Sequence, residues 1–408
     1  MDNISHSLSG LAVAELLHRS LAPEPHAQAQ SLRRRMVLVA GAVAANLPDL
    51  DLVLTGLLPA PLGYLLHHRG HTHTLLYAAP QALLLIALVW LLWPSARLLL
   101  RTSASARAAL VGATVIGLGL HLLMDYANSY GVHPFYPFDA RWLYGDMVFI
   151  VEPVFWIGFG VPLAMMLPAR PLRFALGALL AGVLAWTCVA GFLHWASLLA
   201  LGLAAASITL MQGRADATGR AGLATGVLVA GAFVALQGVA SHVGREHVAQ
   251  RLHALAPTAR LLDAAMTPLP ANPACWSFVT VERFDDAGTY RIRRGLLSLA
   301  PALLPAQACP AAFLPVLATL DAEIGLATPT DASLASLRGL AANCHFYAWM
   351  RFARAPLLAG AVASDARFAR GAGANFSTFD PAAFAHVPCP ANVPAWALPR
   401  QDLLDPAG

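Results

Sequence analysis

The feature that most constrains this chain is a succession of apolar runs, each close to the length that crosses a lipid bilayer. A spanning α-helix needs about 20 mostly apolar residues. Six runs meet or nearly meet this length: Leu75–Trp93, Ala108–Met124, Val148–Leu167, Leu172–Phe192, Trp195–Met211 and Ala221–Ala240. Only 12% of the residues are charged, against about 25% in an average soluble domain. The sequence therefore predicts an integral membrane protein.

Two further segments raise the expected number of membrane segments to about seven to eight. Met36–Leu58 has the length, but the polar stretch Asn46–Asp51 interrupts it, and Ile4–Leu17 is apolar but short. Irregular backbone and carboxylates at membrane depth are tolerated where they line a protein or water-filled cavity. We therefore expect the interruption to face such a cavity.

The arginines predict the orientation of these segments. Arg33–Arg35 precede the second segment, and three later loops also carry arginines, at Arg97–Arg107, Arg170–Arg173 and Arg214–Arg220. If Arg33–Arg35 lie in the cytoplasm, alternation places all three loops there too, as the positive-inside rule requires. The His67–His73 loop and the C-terminal third are then expected outside the cytoplasm.

After about residue 242 the long apolar runs stop, and proline and polar residues become more frequent. Trp276–Val281 alternates like a strand, a turn follows at Asp285–Gly288, and Thr289–Arg293 is typical of the returning strand. Helices are expected over Ala311–Ile324 and Ala332–Ala342. We predict an α-helical membrane domain over residues 1–241 and a small extracytoplasmic α+β domain over residues 242–408.

Cysteine placement supports that division. Cys188 lies alone in an apolar segment, and the other four cysteines are in the polar C-terminal third, at Cys275, Cys309, Cys344 and Cys389. An even number in one region outside the membrane suits two disulfides in an oxidising compartment. The alternative is four unrelated buried thiols.

Within the predicted membrane domain, histidines and aspartates are concentrated in the first 152 residues. Nine of the fifteen histidines fall within the first 133 positions. The candidate site residues are His6, Asp49 and Asp51 around Pro48, the loop His67–His73, and His121 with Asp125. Residues four apart share one face of a helix, so His121 and Asp125 can bind one ion together. Imidazole with carboxylate favours zinc, with manganese and iron as alternatives.

Each part of this pattern also has a plainer interpretation. His6 can be polar surface, the histidine loop can be solvated, and Asp49 and Asp51 can cap a helix. His121 and Asp125 can form a simple hydrogen-bonded pair. The predicted topology nevertheless brings all of these residues to one side of the membrane, and we therefore predict a divalent metal site in residues 1–152.

The ordered motifs resemble those of the YdjM-like family of bacterial inner-membrane proteins, which are described as metal-dependent hydrolases. The matching stretches are Met1–Ser7, Asn46–Asp51, His68–His73 and His121–Asp125, and Asn128–Gly131 and Asn272–Trp276 are also similar. The resemblance is strong over about the first 160 residues and loose over the rest. The resemblance implies functional roles for His6, Asp49, Asp51, His68, His73, His121 and Asp125. One departure is Glu152, which precedes Pro153 where an aspartate is expected.

Together these patterns predict a metal-dependent hydrolase near the outer face of the cytoplasmic membrane. Asp49, His73, His121 and Asp125, with His6, are the expected metal ligands, whereas Asp51 or His68 would act as general base and Arg69 would hold an anionic group. The expected partners are the bilayer and a lipid-linked or envelope phosphoester. The net charge of +4 is too small to indicate a basic surface that binds nucleic acid. A metal- or proton-coupled transporter and a structural metal-binding protein remain as alternatives.

Overall fold

The computed structural model describes residues 1–214, 219–310, 312, 316–369 and 374–406, and it is mostly helical as far as residue 255. The helices of that part are α1 (Asn3–Ser20), α2 (Ala27–Ala44), α3 (Leu62–His67), α4 (Leu75–Leu92), α5 (Pro94–Thr102), α6 (Ala104–Tyr126), α7 (Pro153–Phe155), α8 (Val161–Met165), α9 (Arg170–Val189), α10 (Trp195–Gly213) and α11 (Ala221–Leu255). Short 3-10 helices cover Leu47–Leu57 and His71–His73, and a π-helical turn covers Trp156–Gly160.

The remainder contains eight strands and three short α-helices among the described residues. They are β1 (Arg260–Leu269), β2 (Asn272–Phe284), β3 (Thr289–Ser298), β4 (Leu317–Leu320), β5 (Ile324–Ala327), β6 (Thr330–Ser333), α12 (Leu334–Ala341), α13 (Cys344–Met350), β7 (Pro356–Ala359), β8 (Val362–Asp365) and α14 (Gln401–Leu404). The predicted hairpin is confirmed, since β2 pairs antiparallel with β3 across a turn closed by Gly288 N–H donating to the carbonyl of Asp285.

One sequence expectation for this region is wrong where the structure describes it. Part of the helix expected over Ala311–Ile324 lies outside the described residues, but Leu317–Leu320 is strand β4. This strand pairs with β5 at the end of the sheet, whose order is β1-β2-β3-β5-β4 with β6 beside β3. An apolar run of four to eight residues does not distinguish strand from helix by its period alone.

The chain forms two compact units, each discontinuous in sequence. The first unit comprises Met1–Leu50, Thr72–Asn128 and Val148–Leu236, and the second comprises Asp51–His71, Ser129–Met147 and Gln237–Gly408. The sequence had suggested one linear boundary at 241/242. The second unit instead includes two segments that the sequence assigned to the membrane domain.

Six helices in the described part of the chain are long and apolar enough to cross a membrane. They are Ala27–Leu57, Leu75–Leu92, Ala104–Tyr126, Arg170–Val189, Trp195–Gly213 and Ala221–Leu255. The expected seven to eight segments are not confirmed, because Pro153–Met165 is a shorter apolar helix and α1 carries Glu15, His18 and Arg19. The chain is a multi-pass membrane protein whose interrupted second segment continues from α2 into a 3-10 helix.

Small residues allow the helices of the first unit to approach closely. A Cβ added at Gly41 of α2 would lie 2.6 Å from Cβ of Ala14 and 2.7 Å from the carbonyl oxygen of Gly10, both on α1. A Cβ at Gly117 of α6 would lie 2.8 Å from Cβ of Ala44. Small residues at such contacts are typical of helix packing in membranes. These contacts bring the polar ends of α1, α2 and α6 together.

Two disulfides link elements of the second unit, as the cysteine placement predicted. Cys275 pairs with Cys309 and Cys344 with Cys389, with Cα atoms 5.9 and 5.7 Å apart. Among the described residues, Cys188 carries the free thiol. The first disulfide joins β2 to the segment after β3, and the second joins the start of α13 to the C-terminal segment.

Candidate metal centre

The first site residue is fixed by the cap of α1. The carboxylate of Asp2 accepts hydrogen bonds from the backbone N–H of Ser5 at 2.9 Å and from its hydroxyl at 2.7 Å. Such a cap satisfies free N–H groups at the start of a helix. The side chain of Trp156 donates to the same hydroxyl at 3.1 Å. The first turn of α1 is thereby set, and it carries His6 inward, where the imidazole is fully buried.

Four predicted ligands converge within the first unit. One ligand atom from each of Asp49, His73, His121 and Asp125 lies within 4.8 Å of the corresponding atoms of the other three. His73 and His121 are fully buried, Asp125 is 1% exposed and Asp49 is 10% exposed. The break in the second segment supplies Asp49, the short 3-10 helix supplies His73, and the last turn of α6 supplies the remaining pair.

Five of the six distances within this cluster are close to the edges of a tetrahedron around one cation. Nε2 of His73 lies 3.0 Å from Nε2 of His121, 3.4 Å from Oδ1 of Asp49 and 3.2 Å from Oδ2 of Asp125. Nε2 of His121 lies 3.6 Å from each of the same two carboxylate oxygens. Ligands about 2.0–2.1 Å from a tetrahedral zinc ion are about 3.3–3.4 Å apart. The four groups therefore have the spacing of a metal-ligand set.

Both imidazoles are oriented with Nε2 toward the cluster. Nδ1–H of His121 donates to the carbonyl oxygen of Ala45 at 2.7 Å. Because a carbonyl only accepts, this bond leaves the lone pair of the neutral ring on Nε2. Nδ1 of His73 lies 3.1 Å from the hydroxyl of Thr72. Histidines that bind metals are commonly held through the opposite ring nitrogen in this way.

Each of the two carboxylates also accepts a hydrogen bond on the oxygen that does not face the cluster. Nδ2 of Asn3 donates to Oδ2 of Asp49 at 3.2 Å, while Oδ1 of Asp49 faces the histidines. Oδ1 of Asp125 accepts a hydrogen bond from the amino group of Met1, and Nε2 of His6 lies 3.3 Å from this same oxygen. The opposite oxygen, Oδ2, faces the cluster. Each aspartate thus presents one oxygen to the centre and uses the other for support.

His6 occupies a different position from the other four predicted ligands. Its ring stacks on His121 with centroids 4.0 Å apart, and its Nε2 contacts the outer oxygen of Asp125. It does not belong to the set of four whose ligand atoms lie within 4.8 Å of one another. The structure therefore places His6 beside the ligand set, and ligation by His6 stays a prediction.

The donor chemistry of the cluster fits a divalent cation. With both aspartates ionised and both imidazoles neutral, the four side chains carry two negative charges in a buried volume, where unpaired charge is costly. The buried amino group of Met1 offsets part of this charge at Asp125. A divalent cation supplies the remaining positive charge, and mixed nitrogen and oxygen ligands suit zinc, manganese or iron. The plainer alternative is a cluster held by hydrogen bonds alone. It has to place a proton between Nε2 of His73 and Nε2 of His121.

The three residues predicted to act in catalysis belong to the second unit. Nδ1 of His68 lies 3.1 Å from Oδ1 of Asp51, whose side chain is 1% exposed. Arg69 adopts a φ of 58°, which is uncommon for a residue with a side chain, and its guanidinium lies 4.6 Å from the ring centre of Tyr130. The Asp51–His68 pair is thus formed, whereas the catalytic roles of all three residues stay predictions.

Two other histidines of the loop are partly enclosed. Burial lowers the pKa of His67 and of His71 below the usual value, and His71 packs 4.8 Å from the ring centre of Trp396. Neither belongs to the candidate ligand set. Glu152, where the chain departs from the family pattern, is buried and caps α7 by accepting from the N–H of Val154.

Sequence reasoning missed the groups that orient the ligands. Asn3, Ala45 and Thr72 contact the ligand side chains, but none of them is a histidine, cysteine or carboxylate of the kind that the sequence analysis selected. Asn3 lies in the motif Met1–Ser7 and Thr72 in the motif His68–His73, so the sequence contained a signal for both. The Ala45 carbonyl has no side-chain signature, so only the structure reveals it.

Comparison with known proteins gives a match for the N-terminal part of the chain. The sequence model of the YdjM inner membrane protein family matches residues 1–196. A relative from Bacillus subtilis (strain 168), described as "Uncharacterized protein YfhP", is 24% identical over 157 residues, which are 38% of this chain and 43% of that protein. The match thus spans less than half of that relative. No solved structure matches the chain. All residues of the metal-ligand set fall within the matched part.

Proposed function

We propose that this chain, which over residues 1–196 matches the YdjM inner membrane protein family, is a membrane-bound metal-dependent hydrolase. The observation that carries the proposal is the convergence of Asp49, His73, His121 and Asp125, with edges of 3.0–3.6 Å in a buried site. The outward ring nitrogens and carboxylate oxygens are satisfied by protein groups. Such a preorganised shell is what a metal enzyme needs.

Hydrolysis is the reaction class that this ligand set supports best. A divalent cation bound there supplies Lewis-acid polarisation of an oxygen and lowers the pKa of a water toward neutrality. The chain contributes the two aspartates, which balance the positive charge, and the two oriented imidazoles. Burial of all four groups reduces competition from bulk water and strengthens their electrostatic effect.

We further propose the roles expected for the neighbouring loop residues. His68, with its Nδ1 held by Asp51, has the arrangement of a general base whose second nitrogen accepts a proton. Arg69 would hold an anionic group of the substrate, because guanidinium is suited to phosphate and carboxylate. Replacing His68 with Ala is expected to lower kcat while the protein retains its metal.

The proposed substrate is a lipid-linked or envelope phosphoester at the outer face of the inner membrane. The support is the location of the ligands at the ends of membrane helices and the arginine pattern of the loops. The two disulfides of the second unit suit an oxidising compartment. Alkaline phosphatase fused after Gly408 is expected to be active, and activity of a cytoplasm-dependent reporter alone would contradict this orientation.

Two alternatives make different use of the same ligands. Four protein ligands fill a tetrahedral zinc site, as in structural centres, whereas a five- or six-coordinate ion such as manganese or iron leaves a position for substrate. A transporter would use carboxylates and a broken helix along a path across the membrane. Metal type and turnover together separate these possibilities.

The test uses the full chain purified in detergent and in liposomes. Metal content is measured, and hydrolysis of bis(p-nitrophenyl) phosphate and of a mixed bacterial phospholipid extract is followed with zinc, manganese or iron added. We expect metal-dependent turnover that the His121→Ala variant lacks and the Cys188→Ala variant retains. Metal uptake into liposomes without turnover would support the transporter, and tightly bound metal with neither property would support a structural site.

A further inference from the structure

Three of the four ligands lie within a few residues of a point where the chain passes into the second unit. Asp49 is followed two residues later by the segment Asp51–His71, and the same segment ends two residues before His73. Asp125 lies four residues before the segment Ser129–Met147. Two residues span at most about 7 Å of chain. The positions of these ligands therefore depend on how firmly the two segments are held.

The first segment is anchored by the end of the chain. The indole N–H of Trp396 donates to the carbonyl oxygen of Leu66 at 3.1 Å, and the indole is 1% exposed. Its ring also packs on His71, two residues before a ligand. Leu62 and Leu65 of α3 are fully buried in the same apolar core. The segment between Asp49 and His73 is thus held by residues that lie more than 300 positions later.

The second segment is anchored by charge and by an indole. The guanidinium of Arg354 contacts both carboxylate oxygens of Asp146 at 2.9 Å and also pairs with Asp263 at 2.8 Å. Asp146 and Arg354 are both buried. The indole N–H of Trp142 donates to the carbonyl oxygen of Arg351 at 2.6 Å. A charge pair of this kind fixes the loop, because breaking it leaves a buried charge without compensation.

We infer that the C-terminal region of the second unit, from residue 237 onward, is the template that sets the spacing of the metal ligands. This inference rests on the proposed metal centre and assigns a task to the part of the chain outside the family match. A metal site loses affinity when its ligands are loosely held, since each must be ordered as the ion binds. Trp396 and Trp142 are then positioning residues that act through the segments they anchor.

The experiment measures Co²⁺ binding to the purified full-length protein by the visible d–d absorption of the ion. Trp396→Phe, Trp396→Ala and Trp142→Phe are compared with Trp276→Phe. Trp276 is an equally buried indole that donates to the carbonyl of Pro273 at 2.9 Å in a different apolar cluster. This control loses the same kind of hydrogen bond in the same unit.

We expect Trp396→Ala to weaken Co²⁺ affinity at least tenfold and to change the absorption bands, with smaller effects from the two Phe variants of Trp396 and Trp142. Trp276→Phe should lower the melting temperature without altering the Co²⁺ spectrum. Unchanged affinity and spectrum in folded Trp396→Phe and Trp142→Phe would overturn the inference. A wild-type protein that binds no Co²⁺ would instead overturn the proposed metal centre itself. If Trp396→Ala does not fold, the two Phe variants decide.

Discussion

Nε2 of His73 and Nε2 of His121 lie 3.0 Å apart in a fully buried position. Two such nitrogens approach this closely when they share a proton or a cation. Because the Nδ1–H of His121 is already donated to Ala45, the neutral His121 ring presents only a lone pair to its neighbour. Two carboxylate oxygens complete the arrangement, and a shared divalent cation satisfies all four groups at once.

Loss of a ligand should therefore remove the metal. His73→Ala and His121→Ala are each expected to bind metal more than about 100-fold more weakly, beyond the loss that follows when a supporting residue is removed. Membrane insertion should persist, because most of the apolar surface of the helices is unchanged. Metal content of purified protein gives the answer, with Cys188→Ala as the control. Full metal content in both histidine variants would eliminate the site.

Supporting residues should produce graded losses. His6→Phe retains a ring to stack on His121 but removes the nitrogen beside Asp125, and Thr72→Val removes the hydroxyl beside His73 while keeping the side-chain shape. Each is expected to weaken metal affinity by about 10–100-fold, measured by competition with a chelating dye. Complete loss of metal in His6→Phe would instead establish His6 as a ligand.

The thiol count should distinguish the disulfides from free cysteines. Protein denatured under thiol-blocking conditions is expected to be alkylated at Cys188 alone. Removing the Cys344–Cys389 link by a double Ser substitution should cost about 4 kcal/mol, since it frees a long loop in the unfolded chain. Thermal unfolding with and without reductant tests this. Four additional labelled thiols before reduction would contradict the disulfides.

Acid should weaken the second unit through Asp263. Burial by itself would raise the pKa of Asp263, but Arg354 and Arg400 beside it hold the pKa below the usual value. The stabilisation is therefore present above the unfolded value of about 4 and is lost as the pH falls through the folded-state pKa.

Asp263→Asn is expected to cost about 1–3 kcal/mol at pH 7, because the partly buried carboxylate of Asp263 is one of two that pair with the buried Arg354, and to reduce the further loss in acid. Melting temperature against pH measures both effects. Asp286→Asn is the control, since Asp286 is exposed in the turn between β2 and β3 and that change should leave the profile unaltered. Equal profiles for the wild type and Asp263→Asn would refute this account.

The sequence by itself predicted the membrane character, the resemblance to the YdjM family and most of the candidate ligand set. Run lengths and low charge are sufficient for a membrane assignment, because the bilayer imposes a fixed thickness. The four-residue spacing of His121 and Asp125 fixes their common helix face. Clustering of four cysteines away from the apolar runs predicted two disulfides but not their pairing, because cysteine spacing alone does not fix connectivity.

Tertiary structure alone decided which residues meet and what supports them. His6 and His73 are both histidines in matching motifs, yet only His73 belongs to the four-residue ligand set. The Ala45 carbonyl, the Asn3 amide and the anchoring of residues 51–71 by Trp396 depend on contacts between distant parts of the chain. Periodicity reports which face of an element is apolar, whereas these contacts are set by how several elements pack in three dimensions. For that reason the spacing of the ligands became visible only in the fold.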